Sequence, residues 1–166
     1  VTGGTVVDGT AETPIENATV IVSDGDIVAR GPREDIDLPT DAQVIDTTGK
    51  TILPGLIDAH VHLTMPDSQP FHSAWAEKSP PEIVLDAVHA AQKTLANGFT
   101  TVRDAGACAY TDVALRDAVA AGRLVGPRIL AAGPGLCQTG GHGSFQPSWV
   151  DLPLGSIADP VDGPYE

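Results

Sequence analysis

The first 53 residues carry short β-branched and apolar runs separated by turn residues, with no segment of helical period. Thr5–Val7 is a β-prone stub followed by the turn dipeptide Asp8-Gly9. Ala18–Val22 and Ile27–Arg30 flank Ser23-Asp24-Gly25-Asp26, the pattern of a hairpin. Gly31-Pro32 ends it, residues 33–41 are polar and read as a loop, and Val44–Asp46 reads as another short strand. This stretch is expected to be a small β module.

From Thr51 the texture changes. Thr51–Leu53 is apolar, Pro54-Gly55 interrupts it, and Leu56–Leu63 reads as a buried strand with polar residues near its C-terminal end. Pro81 to about Asn97 is the clearest helix. Ser79 is its cap, prolines stand at its start, and Ile83, Val84, Ala87, Val88, Ala91 and Leu95 share one face. Asn97-Gly98 stops it. Phe99–Asp104 reads as a strand. Thr111–Ala121 reads as a second helix with Val113, Ala114, Ala118 and Val119 inward, and Arg128–Ala132 as a third strand. Strands alternating with helices predict a parallel sheet with right-handed crossovers. After Gly135 the pattern is irregular.

Composition narrows the function classes. The chain has 166 residues, 42% of them apolar, enough for a core. No apolar run approaches the roughly 20 residues of a membrane helix, so no membrane partner is expected. Nine Lys+Arg against 22 Asp+Glu give a net charge of -13, which would repel phosphate backbones and excludes nucleic acid as an expected partner. The acidity reads either as a solvated surface or as adaptation to high salt. Cys108 and Cys137 form no disulfide framework and no CxxC is present, which favours a reducing, cytoplasmic setting.

The candidate chemistry lies in Asp58-Ala59-His60-Val61-His62. Alternate residues of a strand point the same way, so His60 and His62 project together and can share a zinc-like ion. Asp58, on the same face, could orient one of them. Two histidines alone do not complete a catalytic site. His72 and His89 are read as surface or packing residues, the two cysteines as packing residues, and Arg103 with Asp104 as a mutual ion pair or loop anchor.

The run Leu53-Pro54-Gly55-Leu56-Ile57-Asp58-Ala59-His60-Val61-His62-Leu63 resembles the first barrel strand of the amidohydrolase superfamily. Residues 24–31 and 44–50 resemble the N-terminal part of that superfamily's β-sandwich domain. Residues 98–106, Gly126-Pro127-Arg128-Ile129-Leu130 and Thr139-Gly140-Gly141-His142-Gly143 resemble one branch of it. That branch contains imidazolonepropionase-related enzymes and metal-dependent Xaa-Pro dipeptidases (prolidases). The resemblance implies an α/β fold: part of a β-sandwich over residues 1–53, then the first three β/α units of a distorted (β/α)8 barrel over 54–166. A whole barrel takes about 250 residues, so truncation is expected.

The resemblance also implies two divalent metal ions, zinc by preference. His60 and His62 match the first two ligands, and His142 matches a residue that helps hold substrate. The other ligands of that family are a carboxylated lysine, two further histidines and an aspartate, the last also serving as general base. None has a counterpart here, and Lys50, Lys78 and Lys93 are misplaced for the carbamate, so these groups are expected beyond residue 166. The implied activity is hydrolysis of a small amide, a dipeptide foremost, by metal-activated hydroxide. An imidazolonepropionase-like cyclic amide hydrolase is the near alternative, and a catalytically incomplete fragment or binding module the distant one. Residues 1–166 alone are expected to be inactive and prone to associate through an unpaired strand edge. The expected partner is a small amide or dipeptide, and homo-oligomerisation stays open.

Overall fold

The computed structural model describes residues 1–10, 13–65, 77–143 and 157–164. They form a mixed α/β protein of two units, Val1–Pro54 and Gly55–Glu166.

In the first unit, β1 (Thr2–Val6), β2 (Ile15–Ser23), β3 (Asp26–Pro32) and β4 (Thr51–Ile52) form one sheet in the order β3-β2-β1-β4. β1 and β3 run antiparallel to β2, and β4 runs parallel to β1. Asp24 and Gly25 both take positive φ, 53° and 88°, in the two-residue turn between β2 and β3. A primed hairpin turn requires that conformation, and its twist matches that of the strands. Val6, Ala18 and Val20 are buried together, with Ile15 and Ile52 packed against them. The expected strand at Val44–Asp46 is only a single parallel bridge between Thr2 and Asp46. The Asp46 side chain instead folds onto Thr48, accepting from its backbone N–H at 2.9 Å and its hydroxyl at 2.7 Å. That turn ends the pairing.

In the second unit, β5 (Leu56–Val61), β6 (Phe99–Asp104) and β7 (Arg128–Ala131) form a parallel sheet in chain order. The crossover helices are α1 (Pro80–Ala96) and α2 (Thr111–Ala120). The start of α1 is held by Ser79 and Glu82. The glutamate Oε2 accepts from the Ser79 backbone N–H at 2.8 Å and from its hydroxyl at 2.6 Å. Gly98, at φ 91°, lets the chain leave the helix and enter β6. The core joins Ala87 and Ala91 of α1, Leu115 of α2, and Val102 and Ile129 of the sheet, with Leu63.

Leu115 was not among the inward residues that the sequence pattern assigns to its helix, whereas Ala114, assigned inward, is exposed. The buried residues of α2 are Thr111, Asp112 and Leu115, so the buried face is rotated by about one position. Asp112 explains the rotation: its carboxylate turns inward to accept from the Gly133 backbone N–H at 2.8 Å.

β5 departs from the buried strand expected. Leu56 and Ile57 are 45% and 71% exposed. β5 is an edge strand, and on β6 and β7 only alternate residues meet the helices. Val102 and Ile129 are buried, while Arg103, Arg128 and Leu130 between them are exposed. Two further strands, β8 (Gly135–Cys137) and β9 (Ala158–Pro160), pair in parallel where no regular structure was expected. No helix among the described residues is long and apolar enough to cross a membrane.

Candidate metal centre

The C-terminal ends of β5 and β6 bring His60, His62 and Asp104 together at one end of the parallel sheet. His60 is the penultimate residue of β5 and His62 lies just past its end. Their ring centroids are 5.4 Å apart, with the planes at 75°. Alternation along the strand places both rings on one side, and the edge position leaves His60 exposed and His62 partly buried.

The His62 ring is fixed by the segment just past β6. Its Nδ1 lies 2.8 Å from the Gly106 carbonyl oxygen. A carbonyl only accepts, so Nδ1 carries a proton and donates in this contact, and a ring with no second proton keeps its lone pair on Nε2. That is the tautomer needed to bind a metal through Nε2. Gly106 suits this contact because it has no side chain: a Cβ there would stand 3.3 Å from the Ile157 carbonyl oxygen and 3.8 Å from the His62 ring.

Asp58 acts differently from the ring-orienting role expected of it. Its Oδ1 accepts from the backbone N–H of His60 at 3.0 Å, so it shapes the strand end and leaves the His60 ring alone. The carboxylate beside His62 is Asp104, whose Oδ1 lies 3.9 Å from Nδ1. Asp104 is fully buried. Burial pushes its carboxyl above the usual carboxylate range, with the Asp112 charge acting the same way. The backbone N–H groups of Gly106 and Leu63, and then His62, pull it back.

Arg103 and Asp104 form no ion pair with each other. Neighbours on a strand face opposite ways, and each anchors backbone: Arg103 Nε donates to the Ala59 carbonyl at 2.6 Å, and Asp104 holds Leu63 and Gly106. Sequence spacing could not separate these roles, because Ala59 and Leu63 lie 44 and 41 residues from Arg103 and Asp104.

His142 sits exposed in the turn that follows β8. The Gly141 backbone N–H donates to the Gln138 carbonyl at 2.8 Å, and Gly143 packs tightly against Ala158 of β9. The structure therefore joins His60 with His62 and places His142 on a separate loop. His89 is exposed on α1, as expected of a surface residue, and His72 lies outside the described residues. Cys108 is buried with Ile83 and Ile157, and burial raises its thiol pKa, consistent with a packing role. Both cysteines are free. Among the described residues no group of three or more His, Cys, Asp or Glu side chains is placed to hold a metal ion. The histidine pair fits a metal by donor chemistry and tautomer, as two ligands of a larger set.

The model of the amidohydrolase family matches residues 51–159. Enamidase from Eubacterium barkeri is 34% identical over 104 residues, 62% of this chain and 24% of that protein. Imidazolonepropionase from Geobacillus kaustophilus is 45% identical over 60 residues, 33% of this chain and 14% of that protein. A crystal structure of a prolidase complexed with N-methylphosphonate-L-proline superposes with a TM-score of 0.79 at 37% identity, over 98% of this chain and 40% of that one. The chain thus spans less than half the length of each of these relatives.

Proposed function

The chain belongs to the amidohydrolase family, a generally metal-dependent one, and from that premise we propose that it supplies the metal-holding start of a hydrolase of small amides. Residues 1–53 are read as part of a β-sandwich and 54–166 as the first three β/α units of a (β/α)8 barrel. The substrate is a dipeptide of the Xaa-Pro type. His60 and His62 are ligands in a centre of two divalent ions, zinc by preference, and His142 contacts substrate.

One observation carries this reading. His60 and His62 stand together at a strand end with the His62 Nδ1–H committed to the Gly106 carbonyl, which leaves Nε2 as donor atom. Divalent ions, when bound, polarise a carbonyl and lower the pKa of water toward neutrality. The chain's own residues do the rest of what is proposed here. Gly106 keeps the His62 ring from rotating, Asp58 fixes the backbone that carries His60, and His142 lies on a glycine-rich loop where backbone can approach a ligand closely. The likeness to a prolidase crystallised with a proline-containing phosphonate supports the dipeptide. The identity to imidazolonepropionase over 60 residues supports cyclic amide hydrolysis as the second reading.

The test is an assay of the protein at its natural length, with and without a chelator, on Xaa-Pro dipeptides and on a cyclic imidazolone amide. Chelator-sensitive cleavage of the dipeptides is expected. Cleavage of the cyclic amide alone would favour the second reading. Turnover of neither by metal-replete protein would overturn the hydrolase reading.

A further inference from the structure

Asp104 makes two contacts that meet at one ring. Its Oδ2 accepts from the backbone N–H of Leu63 at 2.9 Å, and Leu63 directly follows His62. Its Oδ1 accepts from the backbone N–H of Gly106 at 3.2 Å, and the Gly106 carbonyl receives the His62 Nδ1 proton. One fully buried carboxylate therefore holds both the backbone that carries the ring and the acceptor that sets its tautomer. Burying a carboxylate is costly, and an apolar residue would close a loop more cheaply. The two backbone N–H groups offset part of that cost.

We infer that Asp104 is a positioning residue for His62: it fixes the ring with Nδ1 protonated, so that Nε2 is the donor offered to a divalent cation. This rests on the reading of His62 as a metal ligand. It predicts a specific effect on the ring beyond any loss of stability. In Asp104→Asn the amide oxygen can still accept from one backbone N–H, while its NH2 faces the other. Either the Gly106 or the Leu63 backbone then loses its anchor, and His62 is free to exchange its proton between nitrogens.

The experiment compares wild-type protein at its natural length with Asp104→Asn and Asp104→Ser. The first readout is the His62 tautomer, from nitrogen chemical shifts of metal-free protein in buffer basic enough to keep imidazoles neutral. The second is zinc affinity, by competition with a chromophoric chelator. The third is the urea midpoint. The wild type is expected to show the Nδ1–H form, and the variants a mixture of both forms with zinc affinity lower by about 10- to 100-fold. An unchanged tautomer and affinity in variants that are merely less stable would overturn the inference and leave Asp104 a loop staple. Should the wild type bind no zinc, the metal reading fails by itself. The tautomer comparison, made without metal, still decides whether Asp104 orients the ring.

Discussion

His62 is placed by a single proton. Its Nδ1–H goes to the Gly106 carbonyl, and the other nitrogen is left as acceptor. His60, by contrast, is exposed and constrained through its backbone. The two residues should therefore fail differently. His62→Ala removes a partly buried ring and leaves the Gly106 carbonyl without its donor, so it should reduce both metal affinity and stability, the latter by about 1 kcal/mol. His60→Ala should reduce metal affinity with no measurable change in the urea midpoint. Chelator competition and urea unfolding on the same preparations check both. The sequence makes the pair legible because a strand's period of two needs no tertiary information. It hides Gly106 and Asp104, whose roles exist only once the ends of β5 and β6 are side by side.

Single contacts also decide how the elements fit. Gly55 leads into β5 so close to Thr100 that a Cβ would fall 2.1 Å from its Oγ1 and 2.7 Å from its Cβ. Threonine is stiff at χ1 and cannot simply swing away, so Gly55→Ala should destabilise by about 1–3 kcal/mol. Leu115 is fully buried between α2 and the sheet. Leu115→Ala should cost about 2–5 kcal/mol through the cavity it leaves. Thermal or urea unfolding measures both.

The cap on α1 carries a pH signature. Glu82 is held below its ordinary pKa, first by the Ser79 hydroxyl and then by the Ser79 backbone N–H. A depressed carboxylate stabilises the fold above the unfolded-state pKa, and that stability is lost as pH falls through the lower folded-state value. Wild type should accordingly exceed Glu82→Gln in stability at neutral pH, and the gap should close in acid. Equal stability at all pH values would contradict the cap. These helices and the Phe99–Asp104 strand were readable because their apolar positions repeat with one period. β8 and β9 were not, since three-residue strands such as Gly135–Cys137 are too short to show a period and pair only with a segment beyond residue 157. The inward face of α2 was misread because a buried aspartate, bonded to Gly133, counts as polar in any hydrophobic pattern.

Across the whole molecule, the open features are an uncovered row of β5 side chains and a net charge of -13. Leu56, Ile57 and Leu130 are apolar and exposed on a sheet whose two outer strands each have an unpaired edge among the described residues. An unpaired edge with exposed apolar side chains is a template for association. Residues 1–166 alone should therefore associate as concentration rises. The effect should strengthen with salt, which screens the acidic repulsion. Sedimentation velocity checks this, and a strictly monomeric species at all salt concentrations would contradict it.

In the function proposed, His60 and His62 hold a divalent cation. The most direct measurement is elemental analysis of the protein at its natural length, purified with zinc present and freed of excess, for wild type and for His60→Ala/His62→Ala. Close to two ions per wild-type chain, with a clear loss in the double variant, is the expected result. No bound metal in the wild type, or the same amount in both proteins, would contradict the claim.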